Sequence, residues 1–448
     1  MFGAYDVQTR AWITVATAGA VIIGCVFELK YSVGGTVTGL AGQGLVLEDN
    51  SGSDLGVSSN GAFSFTLGVK NGDSYSITVK TQPANPSQTC TVRNGSGTIV
   101  KANVTNVLVS CTQAGHFAFV ANGISNSLSA YSIDSSSGTL TPVSGSPFAA
   151  LGTAPVALAV DPNGQFLYAV YNGSDAVSAY SIDSTTGALT SAVLASATGS
   201  GPVALAIDPT DSFLYVANFA ANNVSAYSID STTGLLTELA NSPFAVGAGP
   251  SSLKIDSNGN YLYVANFNDG NVTVLAIDSA SGSLSEISGS PFVAGPGAHA
   301  IAIDPSGAFA YVANQTAATI SEYSIDPSTG ALTAVAGSPF STTSAPESLA
   351  ADPAGRFVYA ANVTANNKIA AYSVAPSSGA LTLSGSPVAA GLLPADIALD
   401  PSGLFAFVAN ENSNDISVYA VDPATGVLSA AGNSPVGAGN EPRAIAID

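Results

Sequence analysis

One position, met seven times along the chain, holds the side chains best suited to chemistry. It follows the first residue of a recurring apolar segment and is filled by Val156, Val203, Ser251, His299, Glu347, Ala395 and Arg443. If the segments are copies of one structural unit, these seven residues point to a common rim. Three of them are ionisable, with only Ala395 between Glu347 and Arg443, and Asp396 stands one place further on in that copy. An imidazole or a carboxylate can activate water, and a guanidinium can steady a carbonyl oxygen or an acidic group. Asp396 would orient a hydroxyl or the imidazole. His299, Glu347, Asp396 and Arg443 are therefore the candidate functional residues, expected at the mouth of a channel.

The elements that must position them are legible as a repeat. HFAFVAN, FLYAVYN, FLYVAN, YLYVAN, FAYVAN, FVYAAN and FAFVAN end at Asn122, Asn172, Asn218, Asn266, Asn314, Asn362 and Asn410. A period in the forties, with four short strand patterns per unit separated by turn signals, describes a four-stranded propeller blade. Seven such units predict an all-β, seven-bladed β-propeller over residues 113–448. The first unit lacks its innermost strand. Pro442-Arg443-Ala444-Ile445-Ala446-Ile447-Asp448 matches the missing piece, so the last segment is expected to close the ring in the first blade and remove an open edge.

Other chemistries are disfavoured. Aspartates end the innermost strands (161, 208, 256, 304, 352, 400, 448) and most third strands, but Asp at the first position of a turn bonds the turn's own amides. Spread around a ring, they make no calcium cage. The asparagines that close the YVAN-type strands are expected to bond turns in the same way. Two histidines and no clustered cysteines exclude a zinc site, and neither a metal nor a cofactor is expected. G-x-S-x-G is absent from the sequence. Ser251 and Lys254 have the spacing of a Ser/Lys pair, yet residues three apart on a strand face opposite ways. Arg356 follows an Asp-Pro turn at the far end of its blade.

Residues 1–24 read as a signal peptide: Arg10 precedes a fourteen-residue apolar run from Ala11 to Gly24, short for a spanning helix. Ile22-Ile23-Gly24-Cys25 resembles the lipobox of bacterial lipoproteins, which implies lipidation of Cys25. Residues 31–112 carry short alternating strands without the repeat and predict a small antiparallel β-sandwich, similar to the immunoglobulin-like or prealbumin-like modules of bacterial envelope proteins. Cys90 and Cys111 are expected to form a disulfide in an exported chain. The 448 residues carry a net charge of −20 with only 10 Lys and Arg, which excludes a nucleic-acid partner. A monomer is expected, exported to the cell envelope as a periplasmic or outer-membrane lipoprotein or secreted, and touching membrane only through its N-terminal anchor.

The blocks D-P-x-G-x-F-x-Y-V-A-N, Y-S-I-D and T-G-x-L-T are similar to those of the β-propeller lactonase family, which includes 6-phosphogluconolactonase-like and YVTN-repeat proteins. The resemblance covers all seven units. Gly297-Ala298-His299-Ala300 also resembles that family's Pro-His-Ala-His block, with Gly297 in place of its first His. It implies lactone hydrolysis, with His299 or Glu347 activating water and Arg443 on the carbonyl oxygen. Against this, the propeller carries four basic residues, Lys254, Arg356, Lys368 and Arg443, and a phosphosugar usually meets more cations. The leading expectation is an envelope-anchored module that binds or scaffolds an unidentified small molecule, protein or glycan. The alternative is a lactonase hydrolysing a small sugar lactone.

Overall fold

A computed structural model describes residues 29–448 apart from 41–42, 51, 67, 84–87, 114, 343 and 364–366. The proposed signal peptide and Cys25 lie outside the described residues. The chain divides into two compact units, the second spanning Gly115–Asp448.

In the first unit two four-stranded sheets enclose one core. Gly61–Ser64, Val33–Thr38, Val104–Gln113 and Gln88–Arg93 form one sheet; Ser53–Val57, Leu45–Asp49, Ser74–Thr81 and Ser96–Thr98 form the other. Val33, Val37, Leu45, Leu47, Ile77, Val107 and Val109 are buried between them, as alternation with period two requires. The expectation of a wholly antiparallel sandwich is corrected at one place: Val104–Gln113 runs parallel to Val33–Thr38. Cys90 and Cys111 stand directly opposite each other on neighbouring antiparallel strands and are joined in a disulfide.

The second unit is the seven-bladed propeller. Blades are numbered here by their YVAN-type strand, from Phe117–Asn122 in blade 1 to Phe405–Asn410 in blade 7. Blade 3 is representative: Pro202–Ile207 lies innermost, followed by Phe213–Asn218, Asn223–Ile229 and an outermost strand in two pieces, Leu236–Glu238 and Phe244–Ala245. Where the outermost strand breaks at Ser-Pro, the serine hydroxyl takes over the freed amide, as Ser242 Oγ does from Ala226 N at 3.1 Å. Pro442–Ile447 pairs antiparallel with Phe117–Asn122, so the C-terminal strand closes the ring in blade 1.

The repeat's motifs are the two sides of one blade-to-blade contact. Gly282 of blade 4 is left-handed (φ 70°), and a Cβ there would lie 2.3 Å from the Phe213 ring of blade 3. Its carbonyl accepts the Tyr215 hydroxyl at 2.9 Å. Tyr263 and Tyr311 repeat this bond on Gly330 and Gly379. Glycine is needed twice over, for the backbone and for the ring. The aspartates cap turns: Asp208 Oδ1 accepts from Ser212 N and Phe213 N at 2.7 and 2.6 Å, and Asp448 Oδ1 from Phe117 N at 2.6 Å across the closure.

Two expectations change. The YVAN asparagines are fully buried and cross-link strands: Asn218 Nδ2 donates to Asn223 Oδ1 and Ser225 Oγ on the neighbouring strand. In blade 2 the residue in that slot is Tyr171, not Asn172. The strand is Phe166–Tyr171, and the Tyr171 hydroxyl meets Ser178 Oγ and Tyr180 Oη at 2.8 Å each. The apparent FLYAVYN motif hides a tyrosine substituted for the buried asparagine.

Candidate functional site

The start of each innermost strand has a built-in irregularity. In blade 5 the ladder pairs Ala298 with Asn314 and then Ala300 with Ala313, so His299 is skipped. Blades 6 and 7 skip Glu347 and Ala395 in the same way, and blade 1 skips Arg443. A bulge of this kind releases a side chain from the pleat and re-aims it. It accounts for the bulged residue of every innermost strand lining the cavity, together with some of its strand neighbours.

His299, Glu347, Asp396 and Arg443 all line one cavity of about 540 Å³ at the channel mouth. His299 Nδ1 lies 2.8 Å from the Glu347 main-chain carbonyl. A carbonyl only accepts, so Nδ1 carries a proton and donates, and whenever the ring is neutral the lone pair is on Nε2. That Nε2 is 3.7 Å from Glu347 Oε1. Ser251 Oγ donates to the His299 carbonyl at 2.8 Å and fixes the strand beneath it. Both Ser251 and Lys254 line the cavity, because the bulge between Pro250 and Ser252 undoes the simple alternation expected for them. Ser251's hydroxyl is spent on carbonyls. Lys254 stands where the other six blades place Ala159, Ala206, Ala302, Ala350, Ala398 and Ala446.

Asp396 is engaged on both oxygens. Oδ1 accepts from Ser348 Oγ at 2.8 Å and Ile397 N at 2.9 Å, and Oδ2 from Ile445 N at 3.0 Å. It therefore ties the strand that carries Glu347 to the strand that carries Arg443. Burial pushes its carboxyl above the usual range, opposed by the Ile445 amide, the Ser348 hydroxyl and the charge of Lys254.

A second ring of residues was not found from the sequence. In blades 4, 5 and 7 the residue after the YVAN-type strand reaches the bulged position 32 places later. Phe267 meets the His299 ring edge-on at 5.8 Å, Gln315 Nε2 donates to Glu347 Oε2, and Arg443 Nη2 donates to Glu411 Oε1 at 3.4 Å. Phe219 stacks obliquely on Phe267 at 6.3 Å. Arg443 also donates to Glu441 Oε1, and it lies over Gly123, where a Cβ would be 3.1 Å from Nε. Each pair is chemically matched, aromatic with imidazole, amide with carboxylate, carboxylate with guanidinium. That matching was the available signal. The mouth is thus aromatic along blades 3 and 4 and acidic from blade 6 round to blade 1.

Gly297, in place of a second histidine, is left-handed (φ 74°), and a Cβ would lie 2.7 Å from Thr316 N. No side chain fits there. Arg356 is held at its turn by Asp352 and the Pro423 carbonyl and does not line the mouth.

Comparison with known proteins agrees with this architecture. The chain matches the family model "Lactonase, 7-bladed beta-propeller" over residues 76–200, 112–249, 190–300, 242–339 and 336–444. Among curated proteins, none matches. Similar solved structures include a proposed 6-phosphogluconolactonase from Bacteroides uniformis, at 20% identity and a TM-score of 0.67, covering 75% of this chain and 100% of that one. A second, from Bacteroides fragilis, has 20% identity and a TM-score of 0.67 over 75% and 99%. The periplasmic gluconolactonase of Pseudomonas aeruginosa has 19% identity and a TM-score of 0.64 over 74% and 98%. At such identities the likeness to these structures is one of fold. With the family model matched over most of its length, the chain belongs to the seven-bladed β-propeller lactonase family.

Proposed function

We propose that the channel mouth hydrolyses a small hydroxylated lactone. The observation that carries this reading is the His299 imidazole, committed through Nδ1 to a carbonyl, with Nε2 free as an acceptor beside the Glu347 carboxylate. Nε2 takes a proton from water, and the hydroxide adds to the lactone carbonyl carbon. Glu347 stabilises the imidazolium so formed, and Arg443 stabilises the negative carbonyl oxygen. Collapse breaks the ring C–O bond, and the imidazolium returns its proton to the departing alkoxide. Phe219 and Phe267 offer an apolar wall for the carbon face of a ring. Family membership and the lactonase names of similar structures support hydrolysis over the scaffold role that composition suggested.

The test is acid release from a panel of lactones. His299→Ala should lower kcat/KM by ~10²–10⁴, and Arg443→Ala by ~10² or more, with unchanged melting. Wild-type turnover no faster than both variants across the panel would refute the assignment.

A further inference from the structure

The mouth carries more carboxylates than the proposed chemistry uses. Glu347, Asp396, Glu411 and Glu441 line the cavity, against Arg443 and Lys254 as its lysines and arginines among the described residues. Arg443, which could clamp an anionic substituent, is already shared between Glu411 and Glu441. Glu441 directly precedes the innermost strand of blade 1. It is left-handed (φ 62°) at the position filled by Gly201, Gly249 and Gly297 in three blades and by the equally left-handed Ala154 and Leu393 in two others. Where Ala154 and Leu393 present apolar side chains at this slot, Glu441 presents a carboxylate to the cavity. Gly123 leaves the space in which Arg443 and Glu441 meet, since a Cβ would lie 3.3 Å from Glu441 Oε2. Glu411 is half-buried, and its carboxyl is pushed up by that burial in spite of the neighbouring guanidinium, with Glu441 adding to the rise.

We propose that Glu411 and Glu441 make the mouth charge-selective, so that it takes an uncharged polyhydroxy lactone and rejects one that carries a phosphate. The proposal rests on lactone hydrolysis at this mouth. A phosphate clamp needs cations in excess of the carboxylates around it; Glu411 and Glu441 both meet Arg443 on Nη2, which offsets its charge while leaving Nη1 to face a single carbonyl oxygen. The same charges act on the product. Hydrolysis adds water across the acyl C–O bond, and the carboxylic acid formed loses its proton to solvent. A neutral substrate thus leaves as an anion, repelled by Glu347, Glu411 and Glu441. Like charges placed together disfavour the wrong partner and speed its departure.

The experiment compares glucono-δ-lactone with its 6-phosphorylated counterpart, together with inhibition and thermal stabilisation by gluconate, for the full chain and for Glu411→Gln/Glu441→Gln. The expected wild-type preference is at least ~10-fold for the neutral lactone. The double variant should narrow that ratio by ~10-fold or more and bind gluconate more tightly. Glu441→Gly, which places at this left-handed position the glycine found there in blades 3, 4 and 5, serves if the double variant is unstable. A wild-type preference for the phosphorylated lactone, or an unchanged ratio in the variants, overturns charge selection while leaving hydrolysis standing. If the wild type hydrolyses neither lactone, hydrolysis falls and gluconate binding alone decides. Tighter binding by the variants then supports charge selection at the mouth, and equal binding overturns it.

Discussion

Asp211 interrupts the repeat at the seam between blades 2 and 3. The equivalent turn residues are Gly164, Gly259, Gly307, Gly355 and Gly403, all left-handed, and Asp211 keeps their backbone at φ 57°. It is 5% exposed and faces Asp161, 3% exposed. Asp161 Oδ1 accepts two turn amides, while Asp161 Oδ2 and Asp211 Oδ1 are buried without a donor. The remaining oxygen of Asp211 accepts from Asn163 Nδ2 at 2.9 Å. Burial pushes the Asp211 carboxyl up to about 6, with Asn163 opposing and the negative charges of Asp161 and Asp208 adding to the rise. Tyr168, packed nearby, contributes no cation. A proton on Asp211 would let one bare oxygen donate to the other, the arrangement a close carboxyl pair adopts when both cannot ionise.

The folded protein therefore holds this proton more tightly than the unfolded chain, where the group titrates near 3.8. The associated stability is complete below about pH 4 and is lost as pH rises through about 6. A gap of about two units corresponds to at most ~3 kcal/mol. Pro209 and Thr210 leave the turn open to water on one side, so screening brings the working figure to ~1–2 kcal/mol. Asp211→Asn keeps a residue tolerant of the left-handed backbone, removes the charge, and supplies an amide to Asp161 Oδ2. Denaturant unfolding from pH 4 to 8 should show wild-type stability falling by that amount and the variant nearly flat. The variant should be the more stable protein at pH 8, with a melting temperature higher by ~1–3 °C for a unit of this size. Parallel pH profiles for the two proteins would refute the shared-proton reasoning.

Three further outcomes test the scaffold. Asp396→Ala strips acceptors from Ser348 Oγ and Ile445 N and should cost ~1–3 kcal/mol. It should also lower lactone turnover, and Asp396→Asn, retaining one acceptor oxygen, should recover part of both losses. His116 is raised above its ordinary value chiefly by its bond to Asp448. That contribution to ring closure is full below about pH 6.5 and fades as pH climbs through the raised value, so His116→Ala should remove a stability loss on the alkaline side. Replacing Cys90 and Cys111 by Ala should cost the first unit ~3 kcal/mol, by loop entropy over a separation of 21 residues. Calorimetry showing no lowered transition would contradict it.

What the sequence revealed and what it hid divide along one physical line. Features enforced in every blade print themselves seven times: the aromatic-on-Gly contact (Phe in six blades, Tyr261 in one), the aspartate-capped turns, and the skipped residue of the innermost strand. Counting copies is enough to find them, and the same count puts His299, Glu347 and Arg443 in one equivalent slot. Features that depend on a pair of unlike residues from adjacent blades print themselves once. Gln315 with Glu347, Glu411 and Glu441 with Arg443, and Asp161 with Asp211 each require knowing which blade neighbours which, and at what height. The parallel strand in the first unit escaped for the same reason, since Val33–Thr38 and Val104–Gln113 meet across most of that unit's length. Tyr171 shows the converse hazard. An asparagine one residue away was close enough to complete the pattern by eye, although only the strand register decides which side chain is buried. In a repeat protein, then, departures from the repeat are where function concentrates, because the scaffold needs only the shared residues. Lys254 among six alanines, Glu441 among glycines and apolar residues, and Asp211 among glycines are three such departures. Each adds a charge at a place where the common residue carries none.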